Sequence, residues 1–278
     1  MNLKFDKKTL IMGILNVTPD SFYDGGRNFT REKAIEKAYE LYKDGADIID
    51  IGGESTRPGA EAVSLSEEMD RVCTVIEAVA KNIGIPISVD TYKSEVAEEA
   101  LKNGASIIND ISGLSFDGKM ADVAARHNCY LVLMHIKGTP KNMQVNPHYD
   151  DLLAEIYSFL DNSVQTAMVA GVKKDKIIID PGIGFGKTFE DNYRILNNID
   201  HFKKLGLPIL IGLSRKSLIG KLYDKDYDRL SATIALNSIS ALYGADIIRV
   251  HDVKEHYLAL RSVEMLKGIQ ISDGRNIT

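Results

Sequence analysis

The segment Gly45-Ala-Asp-Ile-Ile directly follows a helical pattern of apolar residues, and nearly the same phrase returns as Gly104-Ala-Ser-Ile-Ile and Gly244-Ala-Asp-Ile-Ile. A glycine placed after the last turn of a helix, with β-branched residues behind it, is typical of a helix that ends in a glycine cap and leads into a strand. The sequence therefore predicts the same helix-to-strand connection three times.

Five further short apolar runs have the composition of strands. They span residues 9–16, 86–90, 130–135, 176–180 and 208–213, which brings the total to eight. The runs are continuous rather than alternating, as expected for strands of a parallel sheet that is covered on both faces.

Longer segments with helical periodicity separate these strands, at residues 31–44, 66–83, 94–102, 150–170 and 231–243, whereas residues 136–149 read as a long loop. Regular alternation of strand and helix with eight strands predicts an α/β protein, a single (β/α)8 TIM barrel whose active site lies at the C-terminal ends of the strands. An open, doubly wound sheet is the main alternative.

Composition limits the classes of function. We expect residues 1–278 to form one domain, since α/β barrels reach this length. The 34 Lys and Arg against 39 Asp and Glu give a net charge of −5 without a basic run, so nucleic acid is not an expected partner. The N-terminal apolar run stops at Asn16, too short for a membrane span, and we expect a cytoplasmic protein. Cys73 and Cys129 lie in apolar periodic segments and are expected to be buried free thiols.

Polar residues end every predicted strand, and in a barrel these ends share one face. A single Asn or Asp there could be only a helix N-cap. A cap does not explain Lys216, Arg249 or His251, so we interpret the set as a polar floor for a flat ligand with donors and acceptors on its edge. The strand ends are Asn16, residues 52–57, Asp90, Asn109 with Asp110, His135, Asp180, residues 214–216 and residues 249–251.

The first and last strands become neighbours when a barrel closes, which predicts that Asn16 lies near Arg249 and His251. This corner has the donors for an anion, and the amide oxygen of Asn16 could hold Mg²⁺ that bridges phosphate oxygens. The alternative is a surface Arg249 paired with a carboxylate such as Asp252.

Two loops rich in Gly and Pro, residues 16–26 and 52–59, follow the first two strands. They could be plain surface turns, but Asp24 and Arg57 could also form a mobile lid over a substrate. Residues 182–188 lack the glycine pattern of a phosphate-binding loop. No histidine spacing suggests zinc, and we expect His127, His148, His201 and His256 on the surface or in loops.

From about residue 9 to residue 269 the chain resembles dihydropteroate synthase. Eight motifs carry the resemblance in order: Asn-Val-Thr-Pro-Asp-Ser-Phe at 16–22, Gly-Gly-Glu-Ser-Thr-Arg-Pro-Gly at 52–59, Val-Asp-Thr at 89–91, Asn-Asp at 109–110, Met-His at 134–135 with Gly-Thr-Pro at 138–140, Asp-Pro-Gly-Ile-Gly-Phe-Gly-Lys at 180–187, Ser-Arg-Lys-Ser at 214–217 and Arg-Val-His at 249–251.

The resemblance implies condensation of 6-hydroxymethyl-7,8-dihydropterin diphosphate with p-aminobenzoate, with Mg²⁺ as cofactor and a homodimer as the common assembly. It assigns diphosphate binding to Asn16, Arg249 and His251, with Asn16 also the metal ligand. It implies a pterin pocket made of Asp90, Asn109, Met134, Asp180, Phe185 and Lys216. It implies a p-aminobenzoate pocket and lid made of Asp24, Thr56, Arg57, Pro58 and Ser217.

Two rival readings remain open from the sequence. A methyltransferase that uses methyltetrahydrofolate would keep the residues at the pterin edge without an aminobenzoate pocket. A catalytically silent pterin-binding subunit would keep the fold without turnover.

Overall fold

Eight parallel strands form the centre of the molecule in the computed structural model, which describes residues 3–5, 8–18, 23–24, 26–29, 31–56, 59–220 and 229–271. The strands in chain order are β1 (Leu10–Asn16), β2 (Tyr23–Asp24), β3 (Gly26–Phe29), β4 (Ile48–Gly52), β5 (Ile87–Asp90), β6 (Ile107–Asp110), β7 (Tyr130–Met134), β8 (Ile177–Asp180), β9 (Leu210–Ile211) and β10 (Ile247–Val250). β2 and β3 form a separate antiparallel hairpin.

The sheet closes on itself. The hydrogen-bonded order is β8-β7-β6-β5-β4-β1-β10-β9, and every pairing within it is parallel. The two ends of this series meet where Ile179 bridges Ile209 and donates its N–H to the carbonyl of Pro208 at 3.0 Å. The TIM-barrel prediction is therefore confirmed, and the alternative of an open sheet is wrong.

Helices surround the barrel. They are α1 (Arg31–Lys43), α2 (Leu65–Asn82), α3 (Ser94–Lys102), α4 (Met120–His127), α5 (Leu152–Val169), α6 (Phe189–Leu196), α7 (Ile199–Phe202), α8 (Ser217–Gly220), α9 (Leu230–Leu242) and α10 (Val253–Ile271). The five predicted helices match within two residues at each end. The predicted long loop at 136–149 contains neither helix nor strand.

The side chains inside the barrel follow from the two-residue repeat of a strand, since alternate residues point to opposite faces. Leu10 and Met12 of β1 point inward and pack with one inward residue or more from each of β4, β6, β7, β8, β9 and β10. Their neighbours Ile11 and Leu15 point outward and pack under the helices. The lower barrel is thus filled by an apolar plug, made of Leu10, Met12, Ile48, Ile107, Tyr130, Val132, Ile178, Leu210 and Ile247.

The repeated glycine is a left-handed helix cap, as predicted. Gly45, Gly104 and Gly244 have φ angles of 103°, 113° and 106°. These angles are open to glycine at little cost but strain other residues. A Cβ at Gly45 would also collide with the ring of Tyr257. The three caps fix the chain where it turns from a helix into the N-terminal end of a strand.

Both cysteines are buried and free, as predicted. Burial raises the pKa of the Cys129 thiol to about 12, so this group stays protonated and inert. The interpretation of His256 was wrong: it is fully buried on α10, and Asn237 Nδ2 lies 2.9 Å from its Nε2. None of the described helices is long and apolar enough to cross a membrane.

The apolar plug predicts where the fold is most sensitive. Ile107 is fully buried in it, so Ile107→Ala leaves a cavity and should lower the free energy of unfolding by about 2–5 kcal/mol in urea titrations. The matched control is Val169→Ala at the exposed end of α5, where we expect a change within about 0.5 kcal/mol. Equal effects of the two substitutions would contradict the assignment of the plug.

Candidate active site

The polar floor of the barrel lies one inward-facing position beyond the apolar plug, toward the C-terminal ends of the strands. Two residues beyond inward-facing Ile48, Ile107, Ile178 and Ile247, the strands carry polar residues that point to the same side. This register brings Asp50, Asn109, Asp180 and Arg249 to the mouth of the barrel, and Asp90 of β5 joins them. The predicted convergence of strand ends therefore follows from the geometry of the sheet.

Arg249 is the centre of this floor. Its Nε donates to Asp50 Oδ2 at 2.6 Å and its Nη2 donates to Asp90 Oδ2 at 2.7 Å. Asn109 Nδ2 donates to the same Asp50 oxygen at 3.2 Å. Burial works against the charge of Arg249, but Asp50 and Asp90 outweigh it and raise the pKa of the guanidinium above its ordinary value. Arg249 is thus a partly buried cation between two acids, with 21% of its side chain exposed.

The alternative partner for Arg249 is wrong. Asp252 pairs instead with Arg215, whose Nε and Nη2 lie 3.1 and 2.5 Å from its two carboxylate oxygens. Arg249 therefore does not belong to a surface ion pair.

The acids of the floor keep acceptor capacity for a ligand. Among the described residues, Oδ1 of Asp50 and Oδ1 of Asp90 are buried side-chain oxygens without a hydrogen-bond partner. Burial raises the pKa of Asp90 to about 7, with Asp50 adding to the rise and Arg249 opposing it. Two carboxylate oxygens without partners on the paired strands β4 and β5 match a ligand edge that presents several N–H groups.

Asp180 and Lys216 form the second half of the floor. Gly182 N–H donates to Asp180 Oδ1 at 2.7 Å. Burial raises the pKa of Asp180, and Lys216 is the largest influence against that rise. Burial lowers the pKa of Lys216 to about 8, while Asp180 acts in the opposite direction. The two groups therefore sit in one electrostatic environment, which Arg249 shares.

Apolar side chains form the wall beside this floor. Met134 is buried in a cluster with Ile111, Ile136 and Met143, and Phe185 packs against the cluster. Lys216 Nζ lies 4.6 Å from the centre of the Phe185 ring. A polar floor with an aromatic and thioether wall can hold a flat heterocycle by its edge and its face.

The predicted anion corner lies on adjacent strands. β1 pairs with β10, with Met12 opposite Arg249, and Asn16 is the last residue of β1. His251 is held against the segment that follows β9. Its backbone N–H donates to Ser214 Oγ at 3.1 Å, and its Nδ1 lies 2.9 Å from that oxygen. The predicted pairing of the first and last strands is confirmed. Anion binding by Asn16, Arg249 and His251 remains a prediction.

The donor set fits a magnesium ion that arrives with its ligand. Among the described residues no group of three or more His, Cys, Asp or Glu side chains is placed to hold a metal ion. Mg²⁺ commonly keeps several waters and takes one or two protein oxygens together with substrate phosphates. The amide oxygen of Asn16 beside an anion corner is compatible with that mode.

The predicted aminobenzoate residues are described only in part. Thr56 is partly buried in the loop after β4, whereas Arg57 and Pro58 lie outside the described residues. The backbones of Asp24 and Ser217 lie in β2 and α8, but their side chains are outside the described part of the chain. The lid and the aminobenzoate pocket therefore stay predictions.

One cluster that the sequence did not indicate supports the loop after β4. Lys93 Nζ lies 2.6 Å from Glu54 Oε2, from Glu68 Oε2 and from the carbonyl of Val63. Tyr92 Oη donates to Glu54 Oε1 at 2.6 Å. This partly buried side chain connects the two ends of the loop to the strand end that carries Asp90.

Asp50 is the floor residue that sequence reasoning missed. It stands inside an apolar strand rather than at its end, so it does not belong to the polar strand ends that the sequence pattern indicates. A fully buried carboxylate is rare without a partner, and a lone Asp in the run Ile48-Ile-Asp-Ile was a usable signal.

Comparisons with known proteins agree with this geometry. The family described as "Pterin binding enzyme" matches residues 12–251. Dihydropteroate synthase of Bacillus subtilis is 53% identical over 254 residues, which are 91% of this chain and 87% of that protein.

Solved structures are similar over almost the whole chain. Dihydropteroate synthase from Clostridium difficile, crystallised with pteroic acid, is 46% identical with a TM-score of 0.90 and covers 95% of this chain and 98% of its own. The Xanthomonas albilineans enzyme with 4-aminobenzoic acid is 42% identical, with a TM-score of 0.89 and 95% of each chain covered.

These matches establish the class, since the family spans most of the barrel and the relatives exceed 40% identity over nine-tenths of the chain. The chain belongs to the pterin-binding enzymes, in the dihydropteroate synthase family. It is a transferase that acts on a pterin group, and the resemblance seen in the sequence is confirmed.

The raised pKa of Asp90 predicts how stability changes with pH. Between the ordinary pKa of 3.8 and about 7, the folded protein holds a proton that the unfolded chain has released. The free energy of unfolding should therefore fall as pH rises through this window, by at most about 1.4 kcal/mol per pH unit from this group.

Urea titrations between about pH 4 and pH 7 check this slope. Asp90→Asn should flatten it, whereas Asp122→Asn on the exposed face of α4 should leave it as in the wild type. An unchanged slope in Asp90→Asn would show that Asp90 is ionised throughout.

Proposed function

We propose that the chain joins 6-hydroxymethyl-7,8-dihydropterin diphosphate to p-aminobenzoate, giving 7,8-dihydropteroate and diphosphate. The observation that carries this proposal is the barrel floor, where Arg249 lies between Asp50 and Asp90 and each of these acids keeps one oxygen without a hydrogen-bond partner. Relatives support it, since dihydropteroate synthases have been crystallised with pteroic acid and with 4-aminobenzoic acid.

The pterin is proposed to bind by its edge. Asp180 accepts hydrogen bonds from the ring amino and N–H groups, Asp90 and Asn109 contact the rest of the edge, and Lys216 donates to the ring oxygen or nitrogen. Met134 and Phe185 cover the faces. Burial raises the pKa of both Asp180 and Asp90, whereas Lys216 and Arg249 respectively favour their ionised, hydrogen-bond-accepting forms.

The diphosphate is proposed to lie at the anion corner. Arg249 and His251 donate to its oxygens, and Asn16 is the protein ligand for Mg²⁺. A bound Mg²⁺ would supply further stabilisation of negative charge on the leaving group. Because Arg249 already touches Asp50 and Asp90, the same side chain can connect the pterin edge to the diphosphate.

The reaction is proposed to break the bond between the exocyclic carbon and the diphosphate oxygen before the new C–N bond forms. Positive charge then develops on the pterinylmethyl group, and fixed carboxylates such as Asp90 stabilise it. The neutral aromatic amine attacks the carbon, and the anilinium group that forms loses its proton to solvent. A general base is not required, because an aniline is nucleophilic when neutral.

The aminobenzoate is proposed to bind between the loop after β4 and the start of α8. Thr56, Arg57, Pro58 and Ser217 form the pocket, and Asp24 belongs to the lid. The carboxylate of aminobenzoate would meet donors there, including the N–H groups at a helix start.

Turnover tests the function directly. Incubation with the pterin diphosphate, p-aminobenzoate and Mg²⁺ should release diphosphate and dihydropteroate in equal amounts. A methyltransferase would release no diphosphate, and a silent pterin-binding subunit would bind pterin without product at any metal concentration. Either outcome would overturn the proposal.

The proposed role of Asp180 as an acceptor predicts that its substitution lowers the affinity for the pterin. Asp180→Ala removes the acceptor for buried ring donors, so pterin binding measured by calorimetry should weaken by roughly 2–4 kcal/mol. The control is Asp161→Ala on the outward side of α5, which should bind as the wild type does. Unchanged affinity in Asp180→Ala would refute its role.

We also propose a homodimer, formed through the outer helices α9 and α10. Leu258, Met265 and Leu266 are 64%, 69% and 51% exposed, and they recur at helical spacing on α10. Ile239 and Leu242 add exposed apolar surface on α9. An apolar surface of this kind on adjacent helices is typical of an interface between copies.

We further propose that residues 1–278 form one domain and that the protein is cytoplasmic.

Light scattering tests the assembly. The wild type should have the mass of two chains, and Leu258→Glu should shift it toward one chain because a charge is costly in an apolar interface. Val169→Glu, at an exposed site on α5, should leave the mass unchanged. A wild-type mass of one chain at all concentrations would contradict the dimer.

A further inference from the structure

A buried lysine lies directly behind the floor and wall of the pocket. Lys187 lies in the segment between β8 and α6 and is 3% exposed. Its Nζ lies 2.8 Å from His135 Nδ1, 3.0 Å from the carbonyl oxygen of Phe185 and 3.4 Å from that of His135. The side chain therefore joins the end of β7 to the loop that follows β8.

The surroundings of His135 and Lys187 influence the protonation of both side chains. Burial first and then Lys187 lower the pKa of His135 to about 2, so the imidazole is neutral. Burial also lowers the pKa of Lys187, while Asp180 opposes that change. Two of the three partners are backbone carbonyl oxygens, which can only accept, so Lys187 donates to those of Phe185 and His135. The contact with Nδ1 adds a polar link to the side chain of His135.

Two glycines allow the same loop to pack closely against the end of β7. Gly182 and Gly186 have φ angles of 72° and 67°. A Cβ on Gly182 would overlap the carbonyl oxygen of His135, and one on Gly186 would overlap that of Lys137. The loop therefore lies directly on the backbone of residues 135–137, and its position depends on the contacts between these two segments.

Three of the proposed pterin contacts depend on this loop. It carries Phe185, and the carbonyl of Ile183 accepts a hydrogen bond from Lys216 Nζ. Its Gly182 N–H donates to Asp180 at 2.7 Å. A shift of the loop would thus move the aromatic wall, the cation and the acceptor together.

We propose that Lys187 is a positioning residue for pterin binding, which acts through His135 and holds the 181–187 loop in the shape that the flat ligand requires. The proposal rests on the proposed function, because it assumes that the pterin lies against Asp180, Phe185 and Lys216. Lys187 itself is behind these groups and is not assigned a contact with the ligand.

The direct test is binding of 6-hydroxymethylpterin by calorimetry, which needs no turnover. Lys187→Met keeps the length of the side chain and removes the donors, so the dissociation constant should rise by about tenfold or more. Lys141→Met, at an exposed site in the neighbouring loop, should leave it within about twofold of the wild type.

Two substitutions of His135 separate positioning from general packing. In His135→Asn the amide oxygen takes nearly the place of Nδ1 and can accept from Lys187, whereas His135→Leu has a similar volume without an acceptor. We expect His135→Asn to bind within about threefold of the wild type and His135→Leu to weaken as Lys187→Met does. Equal weakening in both would overturn the proposal, and so would unchanged binding in Lys187→Met.

The outcomes distinguish this inference from the proposed function. A wild type that fails to bind the pterin contradicts the function itself and the role of Lys187 with it. A wild type that binds while the Lys187 and His135 variants bind equally well contradicts the role of Lys187 alone. If Lys187→Met does not fold, the comparison of His135→Asn with His135→Leu decides.

Discussion

The structure depends on one constraint: in a closed barrel, alternate residues of every strand must point into the same narrow interior. The lower positions are apolar and fill that space, as Met12, Ile107 and Ile178 do. The next inward positions stand above a filled core and still converge, so polar residues placed there necessarily meet. The enzyme's polar floor is thus a product of the same repeat that builds its core.

That floor is costly to build, because three carboxylates and several cations leave bulk water. Arg249 offsets this cost by contacting Asp50 and Asp90 at once, and Asn109 adds a neutral donor. Lys216 opposes the rise that burial causes in the pKa of Asp180 and so favours its ionised form. The charges are arranged so that each acid has a cation nearby and still retains an acceptor for a ligand.

The sequence predicted the features that repeat locally. All eight strands and the helix-capping glycines follow from patterns within ten residues, and the ends of parallel strands share one rim in any barrel. Asp50 was missed since its role comes from its inward register, which only the pairing of β4 with its neighbours defines. Lys187 and His135 are 52 positions apart, and Lys93 joins Glu54 and Glu68 from two other segments. Contacts of this kind depend on tertiary packing and have no local signature.

The glycine caps at Gly45, Gly104 and Gly244 have a practical consequence. They all lie where helices return to the N-terminal ends of strands, at the rim opposite the polar floor. Chain connectivity at that rim matters for assembly of the cylinder but not for the chemistry at the other end. New termini of a circular permutant, or an inserted reporter peptide, are therefore best placed beside these turns, where ligand recognition is furthest away.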